Sequence, residues 1–182
     1  MLAELLATPG VREIHMPGSR VGLMALHGGL EHGTWEIARD VASATGASLY
    51  AVVQPPDVRW HVPSIRFDPD HSEALRRYLR SVDVAVSLHG FGRRGMRSTA
   101  LLGGRNRPLA ARLSAALRAR RGLRAVHVPE EIPVKLRGMH PRNPVNLPPR
   151  CGVQIELTAD LRIGSTRNRV AAALAGALVD AG

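Results

Sequence analysis

The sequence predicts a three-layer α/β domain with a mixed, largely parallel central sheet. Two observations predict it. Short apolar runs alternate with runs of helical period along most of the 182 residues, and strands that alternate with helices pack in this way. Two of the apolar runs, 21–29 and 84–90, end in His-Gly, and in such sheets ligands collect outside the carboxyl ends of the strands. The length suits one well-buried core and is short for two, so residues 1–182 are read as a single domain.

The elements follow in order. "VGLMALHGG" (21–29) reads as a buried strand ending in glycines. "TWEIARDVASATG" (34–46) reads as a helix, with Thr34 as expected N-cap, Glu36 in the first turn and Gly46 as the stop. "SLYAVVQ" (48–54) is a second strand. In "DHSEALRRYLRS" (70–81) Asp70 and Glu73 mimic a capping box at the start of a helix. Strands are expected at 84–90 and 99–104, a helix at 107–122 with Leu109, Leu113 and Leu117 on one face, and strands at 124–129 and 152–158. The Pro- and Asn-rich stretch 130–150 reads as a long loop, of the kind that is often functional. A helix from 165 to 182 closes the chain.

Composition excludes several classes. No apolar run nears the roughly 18 residues of a membrane span, and the N-terminus lacks the pattern of a signal peptide, so a cytoplasmic protein without membrane contact is the expectation. The single cysteine, Cys151, rules out an intrachain disulfide and a cysteine-based zinc knuckle. Any metal ligands must be His, Asp or Glu. The net charge is +10, and Lys135 is the one lysine among 25 basic residues. An excess of arginine suits a polyanionic or carboxylate-rich partner; coding bias accounts for it equally well. Nucleic acid is not the expected specific partner, because aromatics, at 3%, are too few for stacking platforms.

The residues that carry chemistry are His27, Glu31, His89 and Glu156. Two histidines and a glutamate form a recurrent catalytic zinc set with one position left open. His27 and His89 end two strands, and Gly28 and Gly29 let the chain turn so that Glu31 folds back. Taken singly, each has a structural reading: a hydrogen-bonded strand-end histidine, or a glutamate favouring a helix start. Their conjunction points to a site. In "GVQIELT" Val153, Ile155 and Leu157 take one face, while Gln154, Glu156 and Thr158 take the other. A glutamate there, not ligating metal, suits a general base and acid.

"HGGLEHGTWEIA", "VSLHG", "LLGGRN" and "NPVNLPPRCGVQIELTADLR" together resemble the poly-γ-glutamate hydrolase family across residues 20–165. These are small zinc-dependent amidohydrolases related in fold to the zinc carboxypeptidases. The resemblance implies zinc ligands at His27, Glu31 and His89 and a general base and acid at Glu156. This chain departs from the family pattern by one residue fewer between His27 and Glu31. His32 is the alternative ligand, and Glu31 is preferred because the signature continues through Gly33, Thr34 and Glu36. Asn143 and Asn146 match the family's Asn-x-x-Asn pair, which suits a substrate carboxylate or amide and suits turn formation equally. Arg93, Arg94, Arg97 and Arg105 are candidates to steady an oxyanion or bind substrate.

The implied activity is zinc-dependent hydrolysis of an amide in poly-γ-glutamate or a similar acidic glutamyl substrate. Two other readings remain: a deacylase of N-acyl amino acids, and a basic nucleic-acid-binding protein without catalysis.

Overall fold

The computed structural model describes residues 1–179. Among the described residues seven strands join one sheet in the order β1-β3-β2-β4-β7-β5-β6, formed by β1 (Arg12–Met16), β2 (Ser19–Gly28), β3 (Ala47–Val53), β4 (Val84–Gly90), β5 (Thr99–Leu102), β6 (Arg124–Val126) and β7 (Gly152–Leu157). The pairs β2–β3, β2–β4, β4–β7 and β5–β6 are parallel, while β1–β3 and β5–β7 are antiparallel. The expected mixed, largely parallel sheet is thus present. Its central strands are buried on both faces, which is why they read as continuous apolar runs.

The α-helices of the described residues cover it: α1 (Leu2–Leu6), α2 (Thr34–Thr45), α3 (Glu73–Ser81), α4 (Arg107–Arg118) and α5 (Gly164–Val179). One core packs α2, α4 and α5 against Leu23, Ala25, Val86, Leu88, Val153 and Ile155. The other packs α1 and α3 against Met24, Leu26, Tyr50 and Ala85. These are the three expected layers. Among the described residues no helix is long and apolar enough to cross a membrane.

Several boundaries differ from the sequence reading. The N-cap of α2 is Gly33, not Thr34; Thr34 is the first helical residue, and its hydroxyl donates to the Glu31 carbonyl at 2.8 Å. Helix α3 begins at Glu73 and is capped by Ser72, whose Oγ accepts from Leu75 N at 2.9 Å. Asp70 sits instead in a preceding 3₁₀ turn, whose cap is Asp68. Helix α4 ends at Arg118, β5 ends at Leu102 and β6 ends at Val126, each short of the expected limit. The closing helix is described to Val179; the rest of the expected span lies outside the described residues. The 130–150 stretch contains neither strand nor α-helix, only short 3₁₀ turns such as Val134–Leu136 and Pro144–Asn146. Strand β1 and helix α1 were not expected.

Candidate metal centre

Three strand ends converge on the site. In the parallel β4–β7 register His89 lies directly beside Glu156, and Ser87 beside Gln154. Side chains alternate along a strand, so these four share the face opposite Val86, Leu88, Val153 and Ile155. His27 reaches the same face from β2. Strict alternation from Ala25 would send it to the other side. The β2–β3 register shifts between Ala25 and Gly28, and such irregularities re-aim side chains. Its imidazole then packs against Phe67, with ring centroids 5.8 Å apart.

Glu31 comes back to the strand ends through the glycine turn. Gly29 has φ +79, and a Cβ there would lie 2.1 Å from the Gln54 carbonyl, so both conformation and space demand glycine. Gly33, with φ +88, permits the chain to enter α2 immediately afterwards.

The donor atoms face one another. His27 Nδ1 lies 3.1 Å from Glu31 Oε1, His89 Nδ1 lies 3.5 Å from Glu31 Oε2, and the two Nδ1 atoms are 3.2 Å apart. His27 Nε2 donates to the Val62 carbonyl at 2.8 Å, which leaves Nδ1 with its lone pair turned inward. His89 Nε2 pairs with Ser87 Oγ at 2.9 Å. Gly90 N donates to Glu31 Oε2 at 2.9 Å and fixes the carboxylate. Both histidines are buried. Convergence of two ring nitrogens and a carboxylate needs positive charge at its centre, either a shared proton or a metal ion. His27, Glu31 and His89 therefore form a candidate metal site: their donor atoms lie within 4.8 Å of one another, and their outer nitrogens already have the partners that orient metal-binding imidazoles.

The electrostatics agree. Burial pushes the Glu31 carboxyl up, but hydrogen bonds and charge from His27 and His89 outweigh it and hold it well below the usual carboxylate range. Burial pulls His89 down, and its hydrogen bond to Glu31 with that residue's charge lifts it above its ordinary value. Glu156 behaves oppositely to Glu31. Burial raises it, the Glu31 charge adds to this, and His89 and the Gln154 amide offset only part. Two carboxylates with separated proton affinities suit two different tasks.

Glu156 is held through side chains. Gln154 Nε2 donates to Glu156 Oε1 at 2.8 Å, and Asn143 Nδ2 donates to Gln154 Oε1 at 2.7 Å. Asn143 lines the cavity of about 350 Å³ that holds His27, Glu31, His89 and Glu156. Asn146 works further back. Its Nδ2 donates to the Gly138 and His140 carbonyls at 2.8 and 3.0 Å, and its Oδ1 accepts from Arg105 N at 3.0 Å. Arg105 is tied in by its backbone, and its side chain is exposed. Arg93 and Arg97 line a neighbouring cavity with Phe91 and Asp160, and Arg94 is exposed. Neither Arg93 nor Arg105 is among the residues lining the metal cavity. His32 is exposed, outside the donor cluster.

Four residues near the site were not singled out from the sequence. His61 stacks on His27 with centroids 4.4 Å apart, and Lys135 and His140 also line the cavity. Arg162 donates to the Leu157 carbonyl at 3.2 Å and to the His32 carbonyl, clamping the glutamate loop to the end of β7. The signal that would have found His61 was available: it lies in the loop after a parallel strand, on the edge that bears ligands.

The three layers, with a His-Glu-His cluster and a separate glutamate at the carboxyl edge of the sheet, make a zinc carboxypeptidase-like fold. A protein from Burkholderia mallei described as a carboxypeptidase superposes with a TM-score of 0.59 at 12% identity, covering 98% of this chain and 65% of that one. The model of the poly-gamma-glutamate hydrolase family matches residues 4–172, and the chain belongs to that family. A bacteriophage poly-gamma-glutamate hydrolase superposes with a TM-score of 0.78 at 25% identity, covering 98% of this chain and 93% of that one. The SPbeta prophage-derived UPF0714 protein YoqZ of Bacillus subtilis is 32% identical over 101 residues, 54% of this chain. The match spans 35% of the length of that curated relative.

Proposed function

We propose that this protein is a zinc-dependent hydrolase that cleaves amide bonds in poly-γ-glutamate or a closely related acidic glutamyl polymer, with residues 1–182 acting as one catalytic domain. The observation that carries the reading is the register that sets Glu156 beside His89, next to the three-donor cluster, in a chain of this family.

His27, Glu31 and His89 would hold the ion. Bound there, zinc would supply Lewis acidity to the scissile carbonyl and raise the acidity of water. Glu156 takes a proton from the attacking water. The water oxygen bonds to the carbonyl carbon, the C–N bond breaks, and Glu156 returns the proton to the leaving nitrogen. Its raised proton affinity suits the second half of this cycle, because a carboxyl that holds its proton more tightly is present as the acid at higher pH. Gln154 fixes Oε1, which leaves Oε2 for the proton. Lys135 lines the cavity as a cationic group for substrate carboxylates, and His61 and His140 line it as ring N–H donors. Asn143 and Asn146 serve the substrate wall by holding it in place, and Arg93 and Arg105 act from outside the cavity.

The test is direct. Purified protein loaded with zinc is incubated with poly-γ-glutamate, and new amino groups and polymer length are followed. Elemental analysis is expected to find about one zinc per chain. No shortening of the polymer at full zinc occupancy would refute the substrate assignment.

A further inference from the structure

The metal cavity does not end at its own rim. One of its walls is the stretch His61–Ile65, and another includes His140 and Asn143. The same two stretches continue into a second cavity of about 420 Å³, lined by Ile65, Arg66, Phe67 and Asp68 from the first and by Arg142 and Leu147 from the second. Ile65 belongs to both cavities. The two spaces therefore adjoin at Ile65, with residues of the same two chain segments in the lining of each.

The charge of the second part is distinctive. Arg66 and Arg142 are exposed, and among the described residues neither guanidinium has an ion-pair or hydrogen-bond partner. His71 lines the same space. The opposing charge in the lining is Asp68, whose carboxylate is engaged by Asp70 N at 2.9 Å. Ile65 and Leu147 supply apolar surface in the same lining. A lining of two unpaired guanidiniums around apolar surface fits a flexible chain that carries one carboxylate per repeat and a methylene backbone between them.

We infer that the groove past Ile65 is a remote subsite for an acidic polymer, in which Arg66 and Arg142 bind carboxylates of residues several repeats away from the bond that is cut. The inference rests on the proposed function for the polymer's identity, and on the shared walls and the unpaired arginines for its place. Guanidinium is the suitable group, because its planar fork pairs with a carboxylate bidentately. Remote contacts of this kind favour long substrates over short ones and hold the chain across the metal site rather than by one end.

The experiment measures binding rather than turnover. Fluorescently labelled poly-γ-glutamate and a labelled γ-glutamyl trimer are titrated by anisotropy against zinc-loaded protein carrying Glu156→Gln, which slows cleavage during the measurement. On that background Arg66→Ala with Arg142→Ala is expected to raise Kd for the polymer roughly tenfold, as two exposed ion pairs of ordinary strength allow. Kd for the trimer is expected to change less than twofold. Asp68→Asn keeps a capping acceptor and removes the opposing charge, so it is expected to tighten polymer binding. Thermal melts confirm that each variant is folded. Equal polymer binding with and without the two arginines overturns the inference, and so does equal weakening of polymer and trimer. Absence of polymer binding in the parent overturns it too. Hydrolysis by the unaltered enzyme is scored separately: cleavage of polymer with no effect of the arginines refutes the subsite alone, and failure to cleave refutes the substrate reading.

Discussion

The site has two halves built by different means. One half is the set of strand ends, β2, β4 and β7, where His27, His89 and Glu156 stand on backbone locked by parallel ladders. The other half is the 129–147 stretch, which has no ladder and is fastened by the amides of Asn143 and Asn146. The first carries the groups whose spacing must hold to fractions of an ångström. The second carries Lys135 and His140, which line the cavity. Chemistry on rigid elements and recognition on a pinned loop is the division expected where precision and adaptability are both required.

Breaking the rigid half has the largest expected effect. His27→Ala or His89→Ala removes one of three donors and is expected to abolish both activity and zinc retention, read by elemental analysis after dialysis. Glu31→Ala is expected to do the same and His32→Ala to leave zinc bound, since His32 lies outside the cluster. Retention of zinc by Glu31→Ala with loss in His32→Ala would reverse that assignment.

Next in size is Glu156→Gln. It is expected to keep zinc and lower kcat by ~100-fold or more, the usual scale for a lost general acid and base. Near-normal turnover of the zinc-loaded variant would remove Glu156 from the reaction.

The loop half breaks more gently. Asn146→Ala leaves Arg105 N without its acceptor and takes one donor each from the Gly138 and His140 carbonyls, which keep bonds from Asn143. A cost of about 1 kcal/mol follows from the lost hydrogen bonds, visible as a lower melting temperature. KM for the polymer is expected to rise with zinc content unchanged. Loss of zinc instead would mean that the two halves are not separable.

The smallest effect sharpens the comparison from outside both halves. Asp160 accepts from Ser98 N and Oγ at 2.8 and 2.7 Å. Burial raises its carboxyl, but these hydrogen bonds hold it below the usual range. A depressed folded value means that the carboxylate's contribution to stability is full above about pH 4 and fades as pH falls through the folded value. The melting temperature of the unaltered protein should therefore exceed that of Asp160→Asn at neutral pH, with the gap closing in acid. A gap that widens in acid would contradict the sign.

Much of this was readable in the sequence, and the reason is local. His27 and His89 each end an apolar run and precede glycine, so strand, stop and candidate ligand are visible within a few residues. Glu156 sits in a run whose alternation is intact. Less could be read where partners are distant. Strand β1 is half-exposed and exists because it pairs with β3. Ser72 caps α3 although Asp70 sits two residues earlier, because a 3₁₀ turn consumes the first candidate. Asn143 and Asn146 could be read equally as substrate binders or turn formers; their bonds to Gln154, Gly138 and His140 depend on the tertiary fold. The arginines at 93 and 105 follow the site in sequence, yet the chain carries their side chains away from the metal cavity. Lys135 and His61 lie on loops without periodicity, where no pattern announces direction.

The separation of the ligands along the chain has a consequence for how the protein forms. His27 and His89 are 62 positions apart, and the interval contains β3 and α3. Glu156 lies a further excursion away, beyond β5, α4 and β6. The three candidate donors meet only once β2 and β4 lie side by side, and Glu156 joins them only when β7 adds to β4. Non-local parallel pairing is also slow to assemble. An ion held there would recognise the paired strands rather than the open chain, and its expected kinetic signature is slower unfolding with an unchanged folding rate.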